Sequence, residues 1–199
     1  MEARKILGLV LLGLVVFGLG CTRRKGVTTP ETQPDTLMPL AIGNRWTYRA
    51  PLLGASGQAQ ASVRFLSVEI TGTREIDGEI YFVSDDSYYR NRDDGLFVGS
   101  YDEGLGRFFD DLFFKYPVAD GEVYTYISQE TQAEVRVAVR SASVTVPAGT
   151  FRRALVYEIR GPSPSPRFYF APGVGLLKTE NYDQPGEGIE LVSYEIAGR

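Results

Sequence analysis

The chain has 199 residues, a formal net charge of −4, no histidine and a single cysteine. Without histidine a Ser-His-Asp or Cys-His catalytic arrangement is excluded, and a mildly acidic chain without a basic stripe is a poor nucleic-acid binder. A hydrophobic content of 43% is enough for one packed core, and the 12 Tyr and 11 Phe residues favour aromatic-rich strands.

Residues 1–20 have the pattern of a signal peptide. Arg4 and Lys5 precede an uncharged apolar run over residues 6–20, which has the length of a signal-peptide core and is too short for a typical membrane-spanning helix. Cys21 follows directly. The segment resembles the signal of bacterial lipoproteins, in which a peptidase cuts before a cysteine that carries a diacylglycerol. The resemblance implies that Cys21 is acylated, with palmitate or a similar chain.

The order of residues before Cys21 departs from the usual lipoprotein signal. That signal has leucine three residues before the cysteine and a small residue two before it, where this chain has Gly18 and Leu19. An uncleaved anchor, or an ordinary secretory signal with an incidental Cys21, is the alternative. Acylation is the preferred interpretation, because a lone cysteine cannot close an internal disulfide and two acyl chains suffice for stable attachment.

Residues 21–37 are predicted to form the lipidated cysteine and a flexible tether. Residues 22–36 contain one aliphatic residue, Val27, and cannot bury enough apolar surface to offset their ordering entropy. Arg23, Arg24 and Lys25 beside the anchor favour anionic headgroups, and ordinary solvated charge is the alternative. By resemblance, Thr22 permits transport to the outer membrane. We therefore expect an exported domain, membrane-anchored by lipid and facing the periplasm or the cell surface.

Residues 38–199 are predicted to form a single all-β domain. Trp46 and Tyr48 lie two residues apart and so share one face of a strand, and residues 61–72 alternate apolar and polar side chains. Asp77-Gly78 and Asp94-Gly95 each separate two β-rich arms, which is a strong hairpin signal. These patterns predict an antiparallel meander.

The segment RFFDDLFFK, residues 107–115, is ambiguous. Phe108, Phe109, Leu112 and Phe113 fall on one helical face, which favours a short helix or turn. The same residues also fit an aromatic strand that breaks at Asp110-Asp111.

Residues 39–48 and 117–126 resemble each other: PLAIGNRWTY and PVADGEVYTY share Pro, Ala, Gly, Thr and Tyr at matching positions. A duplicated half-domain with a pseudo-symmetric cleft is one interpretation. Two independent uses of one turn-to-strand design is the other, and it is preferred because one pair of ten-residue segments does not establish a repeat architecture.

The second half of the domain continues the strand pattern. Val135, Val137 and Val139 alternate with polar or small residues, and a Pro-Ala-Gly turn at 147–149 leads into the next strand. The prolines of GPSPSPR favour an extended loop, and two further strand segments follow. Nine to eleven short strands at regular spacing predict an open half-barrel, a barrel or a sandwich.

Four pieces of the sequence are similar to recurring pieces of uncharacterised bacterial envelope proteins, many of them lipoproteins or secreted β-domains: PLAIGNRWTYR, VPAGTFRRAL, YFAPGVGLLKTE and ELVSYE. The resemblance implies a fold and no catalytic residues. It also suggests a likeness to the open β half-barrels of lipoprotein carriers, which hold acyl chains in a concave apolar face.

Two sets of side chains are candidates for function. The acidic set could supply a glycosidase-like carboxylate pair or oxygen ligands for Ca²⁺, although polar hairpin tips are the preferred interpretation. The aromatic set could line a ligand groove, although such residues more often form a core. The acidic set is Asp85, Asp86, Asp93, Asp94, Asp102, Glu103, Asp110 and Asp111, and the aromatic set is Tyr81, Tyr88, Tyr89, Phe97, Tyr124, Tyr126, Phe168 and Phe170.

Three functional hypotheses follow. The first is a non-enzymatic, lipid-anchored envelope domain that carries a lipid or another apolar ligand, which predicts a large concave apolar cavity. The second is a protein-interaction or structural module of the envelope, which predicts a filled core and an exposed apolar patch. The third is a carboxylate-dependent hydrolase, which requires two carboxylates within about 5–10 Å. We expect no cofactor, metal or nucleic acid.

Overall fold

The structure is a computed structural model that describes residues 36–53, 59–102, 104, 106–129, 134–160, 166–181 and 188–197. The predicted signal peptide, Cys21 and nearly all of the predicted tether lie outside the described residues. Glu103 and most of the GPSPSPR segment also lie outside them.

Within these residues the fold consists of strands and turns. The strands are β1 (Arg45–Leu53), β2 (Ala59–Glu69), β3 (Gly72–Ile76), β4 (Glu79–Ser84), β5 (Ser87–Arg92), β6 (Gly95–Asp102), β7 (Arg107–Lys115), β8 (Val123–Ile127), β9 (Glu134–Val146), β10 (Gly149–Arg160), β11 (Pro166–Ala171), β12 (Gly175–Asn181) and β13 (Glu190–Glu195). The described strands number thirteen, so the predicted nine to eleven was too low. The part of the chain that the structure describes has no helix that is long and apolar enough to cross a membrane.

The strands form two antiparallel sheets, which confirms the all-β prediction. The larger sheet has the order β2-β1-β13-β12-β11-β10-β9-β8, and the smaller one has the order β3-β4-β5-β6-β7. Neither sheet closes on itself, so the architecture is an open half-barrel or sandwich and not a closed barrel. The eight-stranded sheet is strongly curved, because the turn between β9 and β10 reaches β13, where the Ala148 N–H donates to the Leu191 carbonyl (3.0 Å).

The helix or turn predicted at residues 107–115 is wrong, because these residues form β7. This strand pairs with β6 along its length, from Asp102↔Arg107 to Gly95↔Lys115. The pairing shifts by one residue at Phe113, so the irregularity lies there and not at Asp110-Asp111. A bulged strand places aromatic residues on both faces, which explains why the sequence matched a helical spacing.

The predicted hairpins are present, with one change. Asp77 and Gly78 have φ values of 52° and 82°, the two positive angles that a type I′ turn requires. In the next predicted hairpin the turn is Asp93-Asp94, because Gly95 already pairs with Arg92. A Cβ atom at Gly95 would lie 2.3 Å from the Phe114 carbonyl oxygen, so close approach of β7 requires glycine at this position.

The two similar ten-residue segments adopt the same local structure. Each contains a turn closed by one hydrogen bond, from Asn44 N–H to the Ala41 carbonyl (3.0 Å) and from Glu122 N–H to the Ala119 carbonyl (3.1 Å). Each turn then forms a pair of bonds with the neighbouring strand. In the first turn, Gly43 N–H donates to Ile70 O (2.8 Å) and Ile70 N–H donates to Asn44 O (2.9 Å). In the second turn, Gly121 N–H donates to Val139 O (2.9 Å) and Val139 N–H donates to Glu122 O (2.8 Å). The similarity is therefore structural, but it extends over one turn and one strand pair.

The core lies between the two sheets. Trp46, Tyr48 and Leu191 of the eight-stranded sheet are fully buried there, as the spacing of Trp46 and Tyr48 predicts. From the five-stranded sheet, Phe114 enters the concave face and packs against three rings at centroid distances of 4.5–5.2 Å. These rings belong to Tyr157, Phe168 and Phe170.

Candidate functional site

The aromatic residues that could have lined a ligand groove divide between two places. Five of them belong to the filled interior: Tyr89, Tyr124, Tyr126, Phe168 and Phe170. The other three, Tyr81, Tyr88 and Phe97, lie on the opposite face of the five-stranded sheet. There Tyr81 and Tyr88 both pack edge-on against Phe108, at centroid distances of 5.0 and 5.3 Å.

Buried tyrosine hydroxyls fix β7 inside the curve of the eight-stranded sheet. The Tyr124 hydroxyl accepts a bond from Lys115 N–H (3.1 Å) and donates to Phe113 O (3.0 Å). The Tyr157 hydroxyl donates to Lys115 O (2.8 Å). Burial raises the pKa of both tyrosines far above the ordinary value. They remain neutral, and their function here is to satisfy backbone groups at the β7 bulge.

The acidic candidates do not converge on one cleft. Asp85 and Asp86 occupy the β4–β5 turn, whereas Asp93 and Asp94 occupy the β5–β6 turn at the other end of these strands. The described residues contain no group of three Asp, Glu, Cys or His side chains suited to a metal ion.

Asp110 belongs to an ion cluster on the outer face of the five-stranded sheet. Its carboxylate accepts bonds from Arg90 Nη2 and the Tyr81 hydroxyl, both at 2.8 Å. Arg90 also pairs with Glu79 (2.7 Å), and its guanidinium lies 4.8 Å from the centroid of the Tyr81 ring. Arg90 is largely buried by these contacts. One arginine bridges two carboxylates in this cluster, which is best explained as a structural layer.

Asp111 points to the other face and fastens the loop after β8. Its carboxylate accepts the Gln129 N–H (2.9 Å), and burial raises its pKa despite the hydrogen bonds from Gln129 and Ser128. Adjacent Asp110 and Asp111 therefore act in separate surroundings on opposite sides of one strand. A carboxylate pair for hydrolysis is not formed by these two residues.

Two surface depressions of about 440 Å³ each are present among the described residues, and both have charged walls. One is formed by Arg92, Asp93 and Asp94 at the β5–β6 turn. The other lies between the β1–β2 hairpin and β12, beside Arg49, Lys178, Glu180 and Glu190. Neither is the large apolar cavity that a lipid carrier needs.

The most unusual surface is the outer edge of β2. Val63 and Phe65 are 47% and 64% exposed, on an edge strand of eleven residues. The Ile70 N–H and C=O point toward the turn before β1. Backbone groups of successive strand residues point to alternate sides, so the N–H and C=O of Phe65 and Ser67 point away from β1, toward solvent. Among the described residues these outward groups have no hydrogen-bond partner.

The edge strands β3 and β8 are protected against the addition of another strand. The edge strand β3 has only five residues and exposes Thr73, Arg74 and Glu75, features that discourage strand addition. At the other end of the eight-stranded sheet, β8 lies beside β7, to which Tyr124 and the following loop are hydrogen-bonded. β8 also exposes the apolar side chains of Val123 and Ile127, so β2 is distinguished by the length of its edge, eleven residues against five.

The sequence of β2 has apolar residues on both faces, and alternation alone does not show which of them are exposed. In SVRFLSVEI, residues 62–70, alternation assigns Leu66, Val68 and Ile70 to one face, and that face is the buried one. Val63 and Phe65 form a second apolar set on the opposite face. Apolar residues on both faces are ordinary in a central strand. The exposure of Val63 and Phe65 could be predicted only by knowing that β2 is an edge strand.

These features define an open antiparallel β-domain with a filled interior and a long exposed apolar edge at β2. No family model matches the chain, and no curated protein matches it. Two solved structures are similar over most of its length. One is a Bacteroides fragilis protein described as exported and as having a YmcC-like fold, with 14% identity, 81% of this chain and 100% of that chain covered, and a TM-score of 0.42.

The second is a Parabacteroides distasonis protein described as a lipoprotein, with 15% identity, 82% of this chain and 100% of that chain covered, and a TM-score of 0.40. Both likenesses are remote, and neither fixes the location or activity of this chain.

Proposed function

We propose that this protein is a non-enzymatic, lipid-anchored module of the bacterial envelope that binds another envelope protein through the edge of β2. The observation that carries the proposal is the contrast between a filled interior and the exposed Val63 and Phe65 beside outward-pointing backbone groups. Strand addition at a sheet edge is a common way for β-domains to bind extended partners. The backbone groups supply affinity, and the flanking apolar side chains supply specificity.

The filled interior favours this function over lipid carriage. A carrier must keep its concave face free for acyl chains, but here Phe114 from the five-stranded sheet occupies the concave face against Phe168 and Phe170. The Tyr157 hydroxyl holds the backbone beside Phe114 in place. Emptying this space would break ring contacts and leave buried polar groups unpaired, which is costly.

Export and anchoring are supported by the sequence. A basic start, an apolar core over residues 6–20 and the lone Cys21 together favour a lipoprotein signal. A diacylated cysteine would hold the domain at a membrane surface without any contact from the folded part.

A non-enzymatic role is supported by the placement of the adjacent carboxylates Asp110 and Asp111. Histidine is absent from the sequence. Among the described carboxylates, Asp110 is neutralised by Arg90 and Asp111 is used to hold a loop. Neither faces a cleft in which a substrate could be placed between them.

A photo-reactive phenylalanine analogue at position 65 of the full chain, in intact cells, tests the proposal. We expect a discrete protein adduct that persists under denaturing conditions. The matched control places the same analogue at Thr73, on the protected edge of β3, where no adduct is expected. Unlabelled Phe65→Arg chain should fail to compete with the adduct, whereas unlabelled wild-type chain should compete.

Two results would contradict the proposal. One is equal labelling at positions 65 and 73, which would make the edge of β2 unremarkable. The other is an apolar lipid that copurifies in equimolar amount, beyond any acyl chains attached to Cys21, because that would restore the carrier hypothesis. Mass analysis of the N-terminal peptide tests acylation separately.

A further inference from the structure

Among the described residues, Arg64 is the one cation of the β1–β2 pair without a carboxylate partner. The two strands and their connection contain three arginines and one glutamate. Arg45 is bound to Glu69, with an Nη2–Oε2 distance of 2.5 Å. Arg49 is bound to Glu190 of β13, with an Nη2–Oε2 distance of 2.7 Å. Arg64 is exposed and has no ion pair or hydrogen bond within the described part of the chain.

Arg64 lies in the middle of the β2 edge, between the two exposed apolar residues. It is an even number of residues from Ile70, so its N–H and C=O also point toward β1, where it lies opposite Ala50. A strand added to the edge would therefore meet Arg64 in a non-hydrogen-bonded pair. Side chains directly opposite each other are closest in such pairs, with Cβ atoms about 4.5–5.5 Å apart. The residue that faces Arg64 would lie within ion-pair reach of its guanidinium.

A second copy of β2 is the simplest strand that could pair with this edge. In a two-fold dimer the paired strands are antiparallel, and residues with outward-pointing backbone groups must face each other. The register that places Val63 opposite Phe65 of the second copy also places the two Arg64 side chains opposite each other. Like charges directly opposite each other are destabilising. The register that pairs the exposed apolar residues is therefore also the one that repels.

No antiparallel register gives Arg64 a carboxylate from a second copy. Moving one strand by two residues places Arg64 opposite Leu66, which is apolar and half-buried. The only acidic residue of β2 is Glu69, which is an odd number of residues from Arg64 and so lies on the other face of the strand. Natural edge strands use charged side chains against edge-to-edge association, and Arg64 is placed to do this.

We propose that Arg64 selects the partner of the β2 edge: it prevents pairing with a second copy and binds a carboxylate of the partner strand. The partner segment then has an aspartate or glutamate facing Arg64, with apolar residues on either side of it that face Val63 and Phe65. Repulsion from a second copy and attraction to the partner together give specificity as a difference of affinities. This inference rests on the proposed function, because it concerns the same edge.

The neighbouring side chains of β2 fix where that carboxylate can lie. Leu66 and Val68 follow Arg64 on the same face and are half-buried where they pack against the core. A carboxylate opposite either of them would lose water without gaining a charged partner, which is costly. Of these three positions only the one opposite Arg64 suits an acid, so the ion pair also sets the register of the partner strand.

The test places the photo-reactive phenylalanine analogue at position 65 of the full chain in intact cells and changes residue 64 beside it. Arg64→Glu should reduce the adduct with the partner protein about tenfold or more, because two like charges would face each other across the strands. Arg64→Lys keeps the positive charge and should retain most of the adduct. Arg152→Glu makes the same charge reversal at an exposed position of β10, and it should leave the adduct unchanged.

Arg64→Leu tests the exclusion of a second copy. Removing the charge should allow β2 to pair with itself, so an adduct between position 65 and β2 of a second chain should appear. This chain–chain adduct should be absent with Arg64, and absent with Arg64→Glu, which restores the repulsion. In the adduct with the partner protein, the cross-linked peptide should contain an aspartate or glutamate flanked by apolar residues.

The failure of this inference differs from the failure of the proposed function. If the chain with Arg64 gives no protein adduct at position 65, the proposed function fails. If the partner adduct forms but survives Arg64→Glu, or falls equally with Arg152→Glu, the β2 edge stands as the binding site and the inference is wrong. A cross-linked partner peptide without an acidic residue would also overturn the inference, as would the absence of a chain–chain adduct from Arg64→Leu.

Discussion

The two matching turn-and-strand units of this protein use the same backbone geometry for different purposes. In the first unit, β1 lies inside the eight-stranded sheet, and Trp46 is fully buried with its Nε1–H donating to Val174 O (2.6 Å). In the second unit, β8 lies at the end of the sheet, and Tyr124 is only partly buried. The local sequence thus sets the turn, whereas the neighbouring strands decide how much of the structure depends on it.

The residue after the glycine of each turn shows the same difference. Asn44 is fully buried, and its side chain donates to Pro39 O (2.8 Å) and accepts from Ala197 N–H (2.7 Å). It therefore links the start of β1 to the chain after β13. Glu122 accepts the Ala119 N–H (3.0 Å) and pairs with Lys115 near the surface. The first turn joins distant parts of the chain, and the second joins nearby parts.

The largest expected effect is the loss of stability when Trp46 is replaced, compared with the loss when Tyr124 is replaced. Trp46→Ala removes a fully buried ring and its hydrogen bond, so we expect a loss of about 3–5 kcal/mol in the free energy of unfolding. Tyr124→Ala should destabilise by roughly half as much, because its ring is less buried. Urea titration followed by circular dichroism measures both. Equal losses would mean that the edge unit supports the fold as much as the central unit does.

The next effect concerns the residues that follow the glycines. Asn44→Ala removes a fully buried side chain together with its hydrogen bonds to Pro39 O and from Ala197 N–H, which should destabilise by about 2–3 kcal/mol. Glu122→Ala should change stability much less, because surface ion pairs are weak. The same urea titration compares them. A larger effect at Glu122 would contradict the assignment of the second turn to the surface.

The two turn glycines should respond alike. Gly43 and Gly121 have φ values of 89° and 81°, and no atom would lie within 4 Å of a Cβ added to either. Alanine at each position would suffer only the cost of a left-handed backbone, roughly 1–2 kcal/mol. Thermal unfolding of Gly43→Ala and Gly121→Ala should therefore give similar shifts in Tm. A difference of several degrees would show that the two turns are not equivalent.

The smallest effect is a dependence on pH that belongs to the second turn alone. Hydrogen bonds from Lys115 and from Ala119 N–H lower the pKa of Glu122 below its ordinary value. A carboxylate with a lowered pKa in the native state stabilises the fold above its unfolded pKa, and this contribution is lost as the pH falls through the native pKa. Wild type should thus lose slightly more stability than Glu122→Gln between about pH 5 and pH 3. Parallel pH profiles for the two proteins would sink this assignment.

Much of the fold followed from local patterns in the sequence. Alternation predicted the buried sides of β1, β2 and β9, and Asp77-Gly78 marked a hairpin because both positive φ angles suit those residues. The prediction failed at β7, where a bulge at Phe113 moved aromatic residues out of strict alternation. A bulge is defined by its partner strand, so the sequence of β7 alone does not reveal it.

The candidate surfaces were harder to predict than the strands. Nothing in the order of residues indicated that β1 pairs with β13, and only that pairing makes β2 an edge with Phe65 exposed. Surfaces made by long-range pairing are set by tertiary structure, whereas turns and alternation are set locally.

The position of β13 has a consequence for biosynthesis. β1 lies between β2 and β13 (Glu190–Glu195), so the eight-stranded sheet lacks an inner member until β13 has been synthesised. Sheets that depend on such distant pairings form slowly, because the intervening loop must close first. The β1–β2 hairpin therefore joins the rest of its sheet only after β13 has been made, whereas the consecutive strands β3 to β7 can pair earlier.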